Sequence, residues 1–333
     1  MANPSDAAMT RPMRFGLIAS ANNASELVEL GREAELAGYS TIALNDHFNS
    51  PVAPLLGLQA IASATSNVRL STAVLNQDLR HPAVLAKELA TLDVLSGGRL
   101  EVGLGAGWVQ ADYAQSGISF DDAPKRIARL RETIEIVKSL FSTRACTFVG
   151  EHFTITELEG TPATIQPGGA PIMIGGGGAK ILSMAARHAD IIQVLGASFG
   201  TGGAVVDDMS SFRIDAFEER VGWISTAAGD RFADIELSLM LVFAVITDDA
   251  EAAARGFLDV LSATVSRYGG EVGDVDVRLQ TLLDSPVVAI GTLDEISDKL
   301  RTLRDTLGFN YFVMPYGARP ADFSAIVERL TGT

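Results

Sequence analysis

Leu95-Ser-Gly-Gly-Arg99 runs directly into Leu100-Glu-Val-Gly-Leu-Gly-Ala-Gly-Trp108. An apolar run of strand length ends in small residues capped by one large aromatic. Glycine at a strand end lets the backbone come close to a flat ring, and the tryptophan offers that ring a face to pack on. A βα barrel has this arrangement where a planar ligand lies across the carboxyl end of a strand. Two further strand ends on the same repeating pattern, Asn45-Asp46-His47 and Gly175 to Gly178, also carry residues with chemistry.

Outward from this stretch the chain alternates short β-type runs with amphipathic helical segments. Strands are expected at Phe15–Ala19, Thr41–Asn45, Val68–Leu75 and Leu100–Leu104. Their helices fall at Ser25–Ala37, Pro54–Ser66, Pro82–Leu95 and Pro124–Phe141. The last of these places Ile127, Leu130, Ile134, Val137 and Phe141 at helical spacing. Cys146–Thr156 breaks the rhythm and reads as a β-hairpin turning at Gly150-Glu151, part of an insertion near 145–158. The alternation resumes with strands at Pro171–Ile174, Ile191–Leu195 and Ile235–Ile246 and helices at Ala179–Ala189, Val206–Ser225 and Asp248–Tyr268. Residues 196–209 are Gly-rich and are expected to form a mobile loop. Thr292-Leu-Asp-Glu295 is a capping box, Gly308 ends its helix, and Asn310–Met314 is the eighth strand. Eight strands in strict alternation with helices imply parallel pairing through right-handed crossovers. The expected fold class is therefore α/β, a single (β/α)8 TIM barrel with insertions spanning 14–333 behind a flexible leader, 1–13.

The 333 residues are 47% hydrophobic, with 32 glycines and 12 prolines, as expected of a large core with many tight connections. A net charge of −15 argues against non-specific nucleic-acid binding, which needs a basic face. No apolar run reaches the ~18 residues of a membrane span, so neither nucleic acid nor membrane is an expected partner. The single Cys146 reads as a buried small side chain and fits a reducing cytoplasm.

In such a barrel the site lies at the carboxyl ends of the strands. Strand two ends in Asn45-Asp46-His47-Phe48, strand three in Asn76-Gln77-Asp78, strand four in Gly105-Ala106-Gly107-Trp108 and strand six in Gln193-Val-Leu195. His47 is the candidate for proton exchange near neutral pH, with Asp46 adjacent. The alternative is a rim histidine that caps a loop. Gly175, Gly176, Gly177 and Gly178 follow strand five and precede a helix, where backbone amides and the helix dipole favour phosphate. Lys180 adds charge there; a flexible turn is the other reading. The third position of G-x-G-x-x-G is Lys180 counted from Gly175 and Trp108 counted from Gly103, so this is no dinucleotide fingerprint. The histidines His47, His81, His152 and His188 lack metal-ligand spacing, and no metal is expected.

The pattern resembles the luciferase-like monooxygenase superfamily, especially the branch that uses the deazaflavin coenzyme F420. The resemblance rests on Asp46-His47, on Arg80-His-Pro-Ala-Val-Leu-Ala-Lys87 and on Thr91-Leu-Asp-Val-Leu-Ser-Gly-Gly-Arg-Leu100. It continues through Gly103–Trp108, Pro171–Gly178, Ala186-Arg-His-Ala-Asp190 and Ile290-Gly-Thr-Leu-Asp-Glu295. It implies an oxidoreductase that moves a hydride between F420 and a small organic substrate, with His47 as proton donor or acceptor and Asp46 beside it. It also implies a ring backing onto a bulged third strand near Ala73-Val74, with a cis peptide there. Ala73, Val74, Asn76, Gly105, Ala106, Gly107, Trp108, Gly175–Gly178 and Gln193 are the residues expected against the cofactor, with Arg80 or Lys180 near its acidic tail. An FMN-dependent monooxygenase on the same barrel is the alternative, and a flavin-binding barrel without catalysis is a third reading. Sugar-phosphate dehydrogenases of the superfamily carry an acid where this chain has Trp108, which points to an apolar or aromatic substrate. Related barrels form homodimers, and a dimer is expected.

Overall fold

The computed structural model describes residues 11–142, 145–196, 210–267 and 275–333. Arg14–Ile18 forms β1 and leads to helix α1, Ala24–Leu36, whose first amides are capped by the Asn23 side chain. Leu27, Leu30 and Ala34 recur at helical spacing and bury its inner face. Next come β2, Thr41–Leu44, and α2, Pro54–Ala64. The third stave is interrupted: β3, Arg69–Thr72, and β4, Leu75–Asn76, flank a cis Ala73–Val74 peptide. Helix α3, Pro82–Leu95, starts on His81-Pro82, with the imidazole accepting from the Ala83 N–H. Strand β5, Leu100–Gly105, is followed by α4, Gln110–Ser116, and α5, Ala123–Ser142.

The expected hairpin is β6, Ala145–Val149, antiparallel to β7, Thr154–Glu159. Buried Glu132 of α5 ties it down by accepting the N–H groups of Glu151, His152 and Phe153. The barrel resumes with β8, Ile172–Gly176, α6, Ala179–His188, β9, Ile191–Val194, α7, Ile214–Ala228, and β10, Glu236–Met240. Then follow β11, Phe243–Ile246, α8, Ala250–Arg267, α9, Val275–Asp284, β12, Val288–Gly291, α10, Leu293–Leu307, β13, Phe309–Met314, and α11, Ser324–Leu330.

Strand order β3-β2-β1-β13-β10-β9-β8-β5-β4, closed by β3 against β5, makes an eight-stave parallel barrel, since β4 continues β3. The closure is made by side chain where backbone pairing fails. Ser71 pairs with Glu101 and Leu75 with Leu104. Between them the Thr72 hydroxyl donates to the Gly103 carbonyl at 2.8 Å and accepts from its N–H at 2.9 Å. Only glycine fits at 103, because a Cβ there would stand 1.8 Å from the Thr72 carbonyl oxygen. At the opposite, amino end of the staves, Arg14 is shared by Glu101 and Glu236 at 2.8 and 2.6 Å and stacks on the Tyr311 ring. This buried ion cluster fills the barrel floor.

Four expectations need correction. The apolar run Ile235–Ile246 is not one strand: β10 is a stave, whereas β11 leaves the barrel and pairs in parallel with β12. Both halves are apolar although β10 is mostly buried and β11 only half-buried, so hydrophobicity does not mark the break. The helix expected from Val206 is described only from Ile214, with 206–209 outside the described residues, and it runs on to Ala228. The leader is anchored at its end: Met13 is buried and bonds to the Thr333 carbonyl. Residues 1–10 lie outside the described residues, as do 197–209 of the Gly-rich stretch. Fourth, the strand expected over Val68–Leu75 is interrupted at Ala73–Val74 and falls into β3 and β4.

Candidate active site at the carboxyl end of the barrel

A mostly apolar cavity of about 620 Å³ opens where β2, β4, β5, β8 and β9 end. The structure brings into its wall Asp46, His47, Ala73, Val74, Asn76, Gly105, Ala106, Gly107, Trp108, Gly175–Gly178 and Gln193. Such a volume lies in the range of small-molecule and cofactor sites.

The Gly-rich end of β5 is shaped by neighbours on both sides. A Cβ on Gly105 would meet Val74 at 2.5 Å. Gly107 has φ 75°, and a Cβ there would sit 1.9 Å from the Tyr113 hydroxyl. That hydroxyl donates to Asp78 at 2.8 Å and lies 3.1 Å from Asn76 Oδ1, so the turn is braced from behind. Burial and the Asp78 carboxylate push the Tyr113 hydroxyl above its ordinary pKa, so it remains a donor. Arg126 completes the brace by donating to the Gly107 carbonyl and to the Asp121 carbonyl, with its guanidinium over the Phe120 ring.

Asp46 and His47 part ways although adjacent. Arg80 grips the buried Asp46 carboxylate at 2.6 and 3.1 Å, and the Asn76 N–H donates to it at 3.0 Å. It is thus committed to the floor of the β4 end rather than to the imidazole. The partner of His47 is Asp112 of α4, with Nδ1 and Oδ2 2.7 Å apart. The other Asp112 oxygen accepts from the Phe48 N–H at 3.4 Å. The His47 ring also meets Trp108 edge to face at 5.9 Å. Sequence reasoning missed Asp112. Its signal was position: it lies four residues after Trp108, in the segment that follows a strand carboxyl end. Arg80 does not line the cavity, because Asp46 holds it, whereas Lys180 does line it.

Two features of the wall lack protein partners. Helix α6 begins at Gly178 with no side chain capping its amides. Gln193, opposite Gly175 in the β8–β9 register, is buried, and its Nε2 has no hydrogen-bond acceptor among the described residues. Among the described residues no group of three or more His, Cys, Asp or Glu side chains is placed to hold a metal ion, and no helix is long and apolar enough to cross a membrane.

Closed parallel barrels with a cavity at the strand carboxyl ends are (β/α)8 barrels built to hold a small molecule. This chain belongs to the luciferase-like monooxygenase family, whose sequence profile matches residues 8–310. It is 32% identical over 241 residues to the F420-dependent glucose-6-phosphate dehydrogenase of Kineococcus radiotolerans, covering 68% of each chain. The corresponding enzyme of Segniliparus rotundus is 28% identical over 243 residues, covering 69% of this chain and 70% of that one. Among solved structures, the F420-dependent tetrahydromethanopterin reductase of Methanopyrus kandleri superposes with a TM-score of 0.72 at 19% identity, over 96% of this chain and 98% of that one. A long-chain alkane monooxygenase superposes with a TM-score of 0.76 at 15% identity, over 96% of this chain and 91% of that one.

Proposed function

We propose that the protein is an F420-dependent oxidoreductase acting on a neutral, apolar or aromatic organic substrate. The observation that carries the cofactor half of this reading is the unpartnered pair in the wall. The uncapped amino end of α6, with Gly175–Gly178 and Lys180, suits a phosphate. The buried Gln193 Nε2 suits a carbonyl acceptor on a ring. The Gly105 backbone packs so closely on Val74 that a Cβ there would stand 2.5 Å from that side chain, and Ala73, Val74 and Gly105–Gly107 together give the cavity a wall of small groups that suits a flat ring. When bound, F420 supplies a ring that takes or gives a hydride. Holding it dry and oriented is the task of these residues. His47 faces the same cavity and exchanges the proton on the substrate oxygen: as an alcohol becomes a carbonyl, the hydroxyl proton passes to the imidazole while the hydride leaves carbon.

Charge decides the substrate half. Arg126 and Lys180 are the only Lys or Arg residues in the described cavity wall. Arg126 is committed to backbone carbonyls, and Lys180 stands beside the glycines assigned to the cofactor phosphate. Among the described residues of the wall a second phosphate therefore finds no uncommitted Lys or Arg, and burying it unpaired is prohibitive. This sets the chain apart from what the names of its glucose-6-phosphate dehydrogenase relatives describe.

The test is a parallel equilibrium titration of the purified apo-protein with F420 and FMN, followed by turnover of 1-phenylethanol, cyclohexanol and glucose 6-phosphate with F420. Tight binding of F420 and much weaker binding of FMN are expected, with turnover of a neutral alcohol and none of the sugar phosphate. His47→Ala is expected to retain F420 affinity and to lose turnover by about 10²-fold or more. Preference for FMN refutes the cofactor assignment, and efficient oxidation of glucose 6-phosphate refutes the substrate class.

A further inference from the structure

We infer that Asp112 is a positioning residue that sets the tautomer of His47 and leaves the Nε2 lone pair facing the cavity. The argument is one of donors and acceptors. A carboxylate only accepts, so the His47 Nδ1 that lies 2.7 Å from Asp112 Oδ2 must carry the ring proton. The neutral imidazole has one proton, which leaves Nε2 as the basic nitrogen. No hydrogen bond to Nε2 is made by the described residues, and the ring lines the cavity wall. Asp112 is itself held: it is buried, sits in the first turn of α4, and its second oxygen accepts from the Phe48 N–H. The Trp108 ring packs edge to face against the imidazole. His47 is thereby fixed in orientation and tautomer before any ligand arrives, with Nε2 the nitrogen that takes a proton from a hydroxyl or returns it to a carbonyl oxygen.

The same contacts predict what an amide would do at position 112. Asn has one acceptor oxygen and an NH₂ group. The Phe48 N–H can face only the oxygen, so in Asp112→Asn the NH₂ is turned toward His47 Nδ1. Nδ1 must then accept, and the ring proton moves to Nε2, which is the wrong tautomer for a base. Asp112→Glu retains acceptor-only chemistry and serves as the conservative variant.

The experiment is two-bond ¹H–¹⁵N correlation NMR of the histidine rings in the apo-protein, with His47 assigned by the signal lost in His47→Gln. The wild type is expected to show His47 protonated at Nδ1, Asp112→Asn at Nε2, and Asp112→Glu at Nδ1 again. In turnover of 1-phenylethanol with F420, Asp112→Asn is expected to lower kcat about 10²- to 10⁴-fold, with KM and F420 affinity close to wild type. A wild-type spectrum with the proton on Nε2 overturns the inference, and it does so even if Asp112→Asn fails to fold. An unaltered tautomer in Asp112→Asn, or an unaltered kcat in a variant whose tautomer has moved, overturns it too. The kinetic arm rests on the oxidoreductase reading above but the spectrum does not, so absence of wild-type turnover with F420 overturns that reading alone.

Discussion

Thr72→Val replaces a hydroxyl by a methyl of nearly the same size at the point where the barrel closes. Thr72 is fully buried, and its hydroxyl is the partner of both the N–H and the carbonyl of Gly103. Neither Gly103 group has another partner available, because backbone pairing between β3 and β5 stops at Ser71–Glu101 and resumes only between Leu75 and Leu104. The substitution therefore leaves one buried donor and one buried acceptor unmade, each costing about 1–3 kcal/mol. Because both bonds share one hydroxyl, the expected total is about 2–4 kcal/mol, a large part of a domain stability of roughly 5–15 kcal/mol. Thr72→Ser retains both hydrogen bonds and loses only a methyl, at a cost of about 1 kcal/mol. Urea denaturation of the three proteins, followed by far-UV circular dichroism, gives the comparison. The cis Ala73–Val74 segment that lines the cavity follows directly in the chain, so F420 affinity is expected to weaken in Thr72→Val and to change little in Thr72→Ser. A valine variant no less stable than the serine variant would refute the claim that this side chain substitutes for the missing backbone pairing.

Three further outcomes follow from other parts of the fold. Gly107→Ala forces a Cβ to φ 75° and against the Tyr113 hydroxyl, so it is expected to cost more than about 2 kcal/mol through backbone strain and displacement of Tyr113. Urea denaturation checks it, and F420 titration is expected to show weakened binding. Glu132→Gln is expected to cost about 2–3 kcal/mol at neutral pH, since the charge on the acceptor of three hairpin amides is removed and one of its two oxygens becomes an NH₂ that cannot accept. Burial alone would raise the Glu132 pKa, but those three N–H groups outweigh it and hold the carboxyl below its ordinary value. Its contribution is thus complete above the unfolded value of about 4.3 and is lost as pH falls through the lower folded value. The stability gap between wild type and Glu132→Gln is therefore expected to shrink on acidification, and denaturation curves across that range measure it. Thr292→Ala removes the side chain that caps α10 and pairs with Glu295, and calorimetry is expected to show a loss of about 1 kcal/mol.

Much of the barrel is legible in the chain because each element carries its own signal. Periodicity marks α5, the Thr292–Glu295 box marks a helix start, and the glycines of β5 mark a strand end packed too closely for side chains. Within the candidate site, the rule that chemistry gathers at strand carboxyl ends brought together residues as distant as His47 and Gln193. What the chain does not display is which polar groups meet once those ends converge. Asp46 and His47 are neighbours in sequence, yet successive residues of an extended segment point to opposite sides. Asp46 therefore meets Arg80, and His47 meets Asp112, 65 positions away. The departure of β11 from the barrel is likewise invisible locally, since its residues are as apolar as a stave's although it pairs with β12. Sequence alone determined the alternation, the caps and the bare strand ends, because those obey rules that act within one element. Only the tertiary structure decided the partners, because hydrogen-bond pairing depends on which elements the closed barrel sets side by side.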